Sequence, residues 1–226
     1  LGKQEVSRGF TRDSGSPTTL TVKLTIPAGK SEIRFQNAEE LRELGKHREA
    51  IKEYRQAIAL SKRGYAAARI GLARCLLATE DYEGAVAEGR RALHDAGGRN
   101  AEAFTVIANT RRFQGLYDQA IVGYQTALEQ ARNFSPEAHT GLALTYQERN
   151  RAEDAIKQFR IACDQSNDTE PIIYFLLGGA LEREMRMKEA LASYEKYLEL
   201  EPTGRQSAAV RSIIKQLKRE VQFREQ

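Results

Sequence analysis

Alanine recurs five times at a fixed interval of 35 residues, at Ala50, Ala85, Ala120, Ala155 and Ala190. A chain with that rhythm uses one unit repeatedly, and an interval of roughly 20 to 50 residues is the mark of a solenoid, in which each unit buries its apolar face only against its neighbours. Other positions move with these anchors. Seven residues after them stand Ala57, Ala92, Ala127 and Ala162, with Tyr197 breaking the series; twelve residues before them stand Ala38, Ala73, Ala108, Ala143 and Gly178. Four residues after the anchors come Tyr54, Gly89, Tyr124, Phe159 and Tyr194, and thirteen before them Asn37, Leu72, Ile107, Leu142 and Leu177.

Within a unit the apolar spacing is helical, because Ile51, Tyr54, Ile58 and Ile121, Tyr124, Leu128 follow the three-and-four rhythm of one helix face. Each unit has room for two helices. The turn between them falls where Gly45, Gly115 or Asn150 stands, five residues before an anchor, and the turn between units falls at Arg63-Gly64, Gly97 to Asn100, Asn133 to Pro136 and Asn167 to Pro171. The small columns have a mechanical reason. Where antiparallel helices cross at close range a methyl group fits and a longer side chain does not.

These residues resemble the tetratricopeptide repeat family, whose units carry a small residue in the first helix, a turn glycine, then a small residue, an aromatic and another small residue in the second. Gly115, Tyr117, Ala120, Tyr124 and Ala127 match that pattern most fully, and the resemblance covers residues 31 to 202. It implies an all-α fold, a right-handed α-α superhelix of five helix-turn-helix units at 31–64, 65–99, 100–134, 135–169 and 170–202. An N-terminal extended or β segment at 1–30 precedes them and a capping helix at 203–226 follows. The chain departs from the family at some positions. Only the last unit closes on a proline, Pro202, and the large aromatic that often opens the first helix is replaced by Arg34, Arg69 and His139, surviving as Phe104 and Tyr174. The family's usual length is about 34 residues, and the extra residue here reads as a longer turn between units.

The flanks differ in texture from the units. Leu20, Val22, Leu24 and Ile26 alternate with Thr21, Lys23 and Thr25, a strand signature that ends at Pro27, Ala28 and Gly29, and Arg12 to Pro17 reads as a loop. A lone amphipathic strand cannot bury itself, so this one forms a hairpin with Gln4 to Phe10 packed on the first unit, is the remnant of an upstream β domain, or adds to a sheet edge of another protein. After Pro202, the residues Ala209, Val210, Ile213, Ile214, Leu217 and Val221 share one side of a last helix, which gives the array the polar-faced cap it requires. Of the net charge of +4, the N-terminal flank carries +3, the C-terminal flank +4 and the repeats −3. A slightly acidic array argues against the basic stripe of nucleic-acid readers, and the pentatricopeptide repeats, RNA readers that also run at 35 residues, end on a motif missing here. Lys215, Lys218, Arg219 and Arg224 leave room for contact with an anionic partner or membrane surface. The chain opens on Leu1, which reads as a processed or trimmed form and leaves cytoplasm and cell envelope both open.

No catalytic constellation is legible, and no cofactor, metal or small-molecule substrate is expected. His47, His94 and His139 fall in three different units without a second ligand at metal spacing, and Cys75 and Cys163 lie in different units as small buried hydrophobes. Function is therefore expected to be binding. The resemblance implies an adaptor or scaffold in a multiprotein assembly that holds a partner's peptide or helix on the concave surface lined by first helices. Carried over by position, the groove residues are Arg74, Thr105, Asn109, Arg112, Thr140, Leu144, Gln147, Phe175 and Glu182. The charged clamp with which some members grip a carboxylate terminus is absent, since the matching places hold Ile70, Gly71, Gly141, Ile172 and Leu176. A structural subunit of a large envelope or membrane-associated complex, docked through its N-terminal strand and basic C-terminal helix, is the competing expectation. The second unit, with Gly84, Gly89 and Gly97-Gly98, is expected to open more easily between residues 82 and 98 than the third or fourth unit, since glycine within a helix costs roughly 0.5 to 1 kcal/mol relative to alanine.

Overall fold

The structure, a computed structural model, describes residues 4–10, 18–24, 29–61 and 64–224, with side chains for 29–61 and 64–223. Eleven helices are present among them. They are α1 (Lys30–Glu43), α2 (His47–Leu60), α3 (Ala66–Ala78), α4 (Tyr82–Asp95), α5 (Ala101–Phe113), α6 (Tyr117–Gln130), α7 (Pro136–Glu148), α8 (Ala152–Ser166), α9 (Pro171–Arg183), α10 (Met187–Leu200) and α11 (Ser207–Arg224). Each packs on the next in sequence, and the odd-numbered helices also touch one another, α1 with α3, α3 with α5 and α5 with α7. That second set of contacts places the odd helices side by side on one face of a solenoid.

The helix ends follow from local chemistry. The side chains of Asp81, Asn100 and Ser135 accept from the amides of Gly84, Ala103 and Ala138, satisfying first-turn donors of α4, α5 and α7, while Pro136 and Pro171 open α7 and α9 where no donor is needed. Inside every unit the first helix ends the same way. The amide four residues before the anchor donates to the carbonyl nine before it, at 2.8 Å for Lys46 to Leu41 and Arg151 to Tyr146 and 2.9 Å for Asp81 to Leu76, Leu116 to Arg111 and Arg186 to Leu181. This closure needs a left-handed residue in between, and Gly45, Glu80, Gly115, Asn150 and Met185 all have positive φ. Glu80 and Met185 have neither glycine's freedom nor asparagine's tolerance, which is why sequence alone marks only Gly45, Gly115 and Asn150.

All five anchor alanines are fully buried, as are Ala57, Ala92, Ala127 and Ala162, and Tyr197 takes the fifth place at 1% exposure. Two rings of the aromatic column interlock with the following unit through missing side chains. A Cβ on Gly71 of α3 would collide with the ring of Tyr54 on α2, and a Cβ on Gly141 of α7 would collide with the ring of Tyr124 on α6. Between these two pairs the arrangement inverts. Gly89 on α4 faces Val106 and Ile107 of α5, and a Cβ there would come within 2.6 Å of Ile107 Cγ1. Over the first three joints, ring against glycine therefore alternates with glycine against branched aliphatic, a repeat of two units laid over the repeat of one.

The expectation of a loose second unit thus meets a filled contact at Gly89. Replacing Gly89 with alanine is expected to destabilise the array by about 1 to 3 kcal/mol through overpacking, where helix propensity alone predicts a gain of roughly 0.5 to 1 kcal/mol. The midpoint of urea unfolding decides the sign.

At the C-terminal end Val210 and Leu217 of α11 are buried against the array. Ile213, Ile214 and Val221 are half-buried, and Ala209, expected on the same side, is exposed. The loop expected at Arg12 to Pro17, the strand end at Pro27 and Ala28, and Arg63 of the first inter-unit turn lie outside the described residues.

Candidate functional site

The face shared by the odd helices is built from side chains eight and eleven residues before each anchor, one helical turn apart. Along the array these pairs are Glu39 and Arg42, Arg74 and Leu77, Asn109 and Arg112, Leu144 and Gln147, and Gly179 and Glu182. Arg74 of α3 reaches past α5 to Glu137 at the start of α7, with Nη2 2.9 Å from Oε2, and its Nη1 lies 3.8 Å from Glu102. The other Glu137 oxygen accepts from Asn109 Nδ2 at 3.4 Å. Glu137 thus draws Arg74 and Asn109 together across the inner surface of three units.

A tyrosine hydroxyl comes up from beneath this row in three units. Tyr124 donates to Asn109 Oδ1 at 2.5 Å, Tyr194 donates to Glu182 Oε2 at 2.8 Å and Tyr54 donates to Glu39. Burial raises all three phenols, Tyr124 to about 12 against the nearby charge of Arg112, which pulls the other way. They stay protonated donors throughout the neutral range and fix the inner side chains that accept from them.

The remaining expected groove residues divide into four kinds. Arg112 lays its guanidinium over the Phe113 ring, 4.4 Å from the centroid, and its Nε is buried without a hydrogen-bond partner, as is Thr140 Oγ1. Gln147 lines a cavity of about 140 Å³ with Asn150, Ala152, Ala180, Arg183 and Glu184. Leu144 and Phe175 are half-buried and lean on the core, Phe175 with tilted ring contacts at 6.0 Å to Tyr194 and 5.9 Å to Tyr197. Thr105 has to be withdrawn from the groove. It is 2% exposed and its hydroxyl donates back to the Ala101 carbonyl, because the close approach of α5 to its neighbours covers that position.

Sequence reasoning missed Glu137, although a column of acids eighteen residues before the anchors, Glu32, Glu102 and Glu137, was there to be read. It also missed Phe113, 55% exposed, which with Arg74, Leu77, Ala78, Glu80 and Tyr82 bounds a cavity of about 360 Å³ between α3 and α5. Glu182 and Arg186, four residues apart, do not pair across a helix surface. The helix α9 ends between them, so Glu182 accepts from Tyr194 while Arg186 pairs with Glu153 and Glu189.

The reactive residue types are placed quietly. Burial pushes the thiols of Cys75 and Cys163 up to about 11 and about 12, which keeps them as thiols and removes their nucleophilicity. His139 is buried between Gln158 Oε1, 2.7 Å from Nδ1, and the Asn133 carbonyl. Among the described residues no group of three or more His, Cys, Asp or Glu side chains is arranged to hold a metal ion, and no helix is long and apolar enough to cross a membrane.

Comparison with known proteins agrees with this geometry. A family model described as Tetratricopeptide repeat matches residues 35–101, 105–171 and 141–205. No curated protein sequence matches. Among solved structures, a thermophilic TPR protein of Thermus thermophilus is 19% identical, with a TM-score of 0.70 over 83% of this chain and 98% of that one. The pilF protein of Pseudomonas aeruginosa is 18% identical, with a TM-score of 0.70 over 87% of this chain and 86% of that one. YrrB, a TPR protein with an unusual peptide-binding site, is 18% identical, with a TM-score of 0.52 over 79% of this chain and 90% of that one. At these identities the likeness is one of fold.

Proposed function

We infer the function from one premise: this chain belongs to the tetratricopeptide repeat family, whose fold is a scaffold for protein-protein interaction. On our reading it is a non-enzymatic adaptor that holds a peptide or helical segment of a partner on the face of the odd helices. One observation supports this above the others. That face presents the 55% exposed ring of Phe113 with the guanidinium of Arg112 lying over it, 4.4 Å from the centroid, and an exposed large apolar group set among polar ones marks a docking place. A partner segment laid along the face would cover that ring, in the manner of segments laid along a groove. The structural neighbour whose peptide-binding site is described as unusual lends the reading support by fold alone.

The test is capture from native extract on the immobilised chain, with the double substitution Arg74→Glu and Gln147→Ala run beside it and thermal midpoints compared. A protein retained by the unaltered chain and lost by the equally stable variant supports the groove. Equal retention by both overturns it.

A second reading, a subunit docked into a larger assembly through its flanks, is favoured by α11. That helix has α10 as its packing neighbour and turns Lys215, Arg219 and the 81% exposed Phe223 outward. Loss of capture on Lys215→Glu with Arg219→Glu, and not on the groove variant, would point there. The N-terminal β segment belongs to the same proposal as a docking element, and fast amide exchange across Leu20 to Ile26 would exclude its pairing within the chain.

A further inference from the structure

The inner face contains one three-residue arrangement twice, 70 residues apart, and the two copies differ in a single functional group. In the first unit Arg42 Nη2 lies 2.6 Å from Glu39 Oε2, and the other Glu39 oxygen accepts from the Tyr54 hydroxyl. In the third unit the same three places hold Arg112, Asn109 and Tyr124, and the hydroxyl of Tyr124 donates to Asn109 Oδ1. The amide of Asn109 reproduces the acceptor and omits the charge. Arg112 consequently has no carboxylate among the described residues, and what it touches is the face of Phe113 and the tyrosine below. A half-covered guanidinium left without its anion is costly, and a planar guanidinium is suited to a carboxylate that arrives from outside.

The neighbouring cavity defines the rest of the ligand. Its 360 Å³ are lined by Leu77, Ala78, Tyr82 and Phe113, with Arg74 and Glu80 as the charged members, a space for one large apolar side chain. Arg74 is already neutralised by Glu137 and Glu102, so of the two it is Arg112 that has no carboxylate among the described residues.

We propose that this place is the specificity subsite of the groove. It takes a partner segment in which a carboxylate side chain adjoins a large apolar one, the carboxylate standing to Arg112 as Glu39 stands to Arg42 and the apolar group seated against Phe113. The proposal rests on the groove reading above and adds the chemistry of its occupant.

Random dodecapeptides displayed on phage, selected on the full chain, test it. The expected result is enrichment of Asp or Glu next to Phe, Leu, Ile or Met. Asn109→Glu supplies the carboxylate from within, as the first unit does, and is expected to weaken the best enriched peptide at least about tenfold, the scale of one charge-assisted hydrogen bond. Asn109→Gln, which adds no charge, is expected to weaken the same peptide less than Asn109→Glu does, since the cation keeps its freedom to pair with the peptide. Arg112→Glu shifts the enriched residue to Lys or Arg, and Phe113→Ala removes the apolar preference while leaving the acidic one. Enriched peptides with no acidic preference, or with equal affinity for Asn109→Glu, overturn the subsite and leave the groove standing. Failure of any peptide to enrich overturns the groove reading and the subsite with it.

Discussion

Replacing Tyr124 with alanine is expected to destabilise the array by about 3 to 5 kcal/mol, the ordinary cost of emptying a buried aromatic site, and chemical denaturation measures it. The ring is fully buried at the centre of the largest apolar cluster and fills the space left by Gly141 across the unit boundary. Nothing else can move into that space, because the facing helix has no side chain there. Tyr124→Phe keeps the ring and loses only the bond to Asn109, so about 1 kcal/mol is expected. The hydroxyl also sets the alkaline limit. Its folded value, pushed up to about 12 by burial, lies above the ordinary 10. The stability this contributes is complete below pH 10 and is lost as pH rises toward 12. Tyr54 and Tyr194 are raised by burial as well, so alkaline unfolding is expected to be steep, and Tyr124→Phe to make it shallower.

The second large effect is expected at Arg69. Its side chain takes the place where the family usually carries an aromatic, and it binds two acids of α4, with Nη1 2.9 Å from Glu88 and Nε 2.7 Å from Asp95. Asp95 also accepts from the Tyr65 amide at 2.9 Å. Arg69→Met preserves much of the bulk and strands two mostly covered carboxylates, at an expected cost of about 2 to 4 kcal/mol, below the full figure for a buried pair because Arg91 still reaches Glu88. The sign with pH is opposite to that of the tyrosine. Burial pushes the Asp95 carboxyl up, but the hydrogen bonds from Arg69 and Tyr65 and the charge of Arg69 more than reverse this and leave it below its ordinary value. Its contribution is therefore present above the usual carboxylate range and lost as pH falls through the folded value. The unaltered chain should lose stability on acidification more steeply than Arg69→Met, which thermal melts from neutral pH downward would record.

The fold was legible because its strongest constraint, close crossing of paired helices, writes small residues at fixed intervals. The columns of Ala50, Ala57 and Ala38 needed no knowledge of anything beyond the chain itself. What escaped were relations between columns. Arg34, Arg69 and His139 stand out as departures, and their meaning lies nineteen residues further on. There the second helix answers with Glu53, Glu88 and Gln158, each bonded to its partner, whereas opposite Phe104 and Tyr174 stand Gly123 and Ser193. The polar residue on one helix is matched by a polar one on the other, a covariation visible in the sequence to a reader who compares offsets as well as periods. Gly89 escaped for a related reason. Taken alone it is a propensity cost, and only its distance to Ile107 reveals a contact. The groove was legible by face and less so by residue, since the curvature that buries Thr105 and brings Glu137 to Arg74 depends on how three units stack.

Because the rings of the first and third units rest on the glycine of the next, with the inverted pair set between them, this stretch of the chain keeps count in twos. Excising the second unit would bring Tyr54 down on Val106 and jam the joint. Excising the second and third together would bring it onto Gly141, where it fits. A scaffold of this make can be shortened there only by a whole couplet, which means its reach, and with it the span of any assembly hung from it, changes in strides rather than steps.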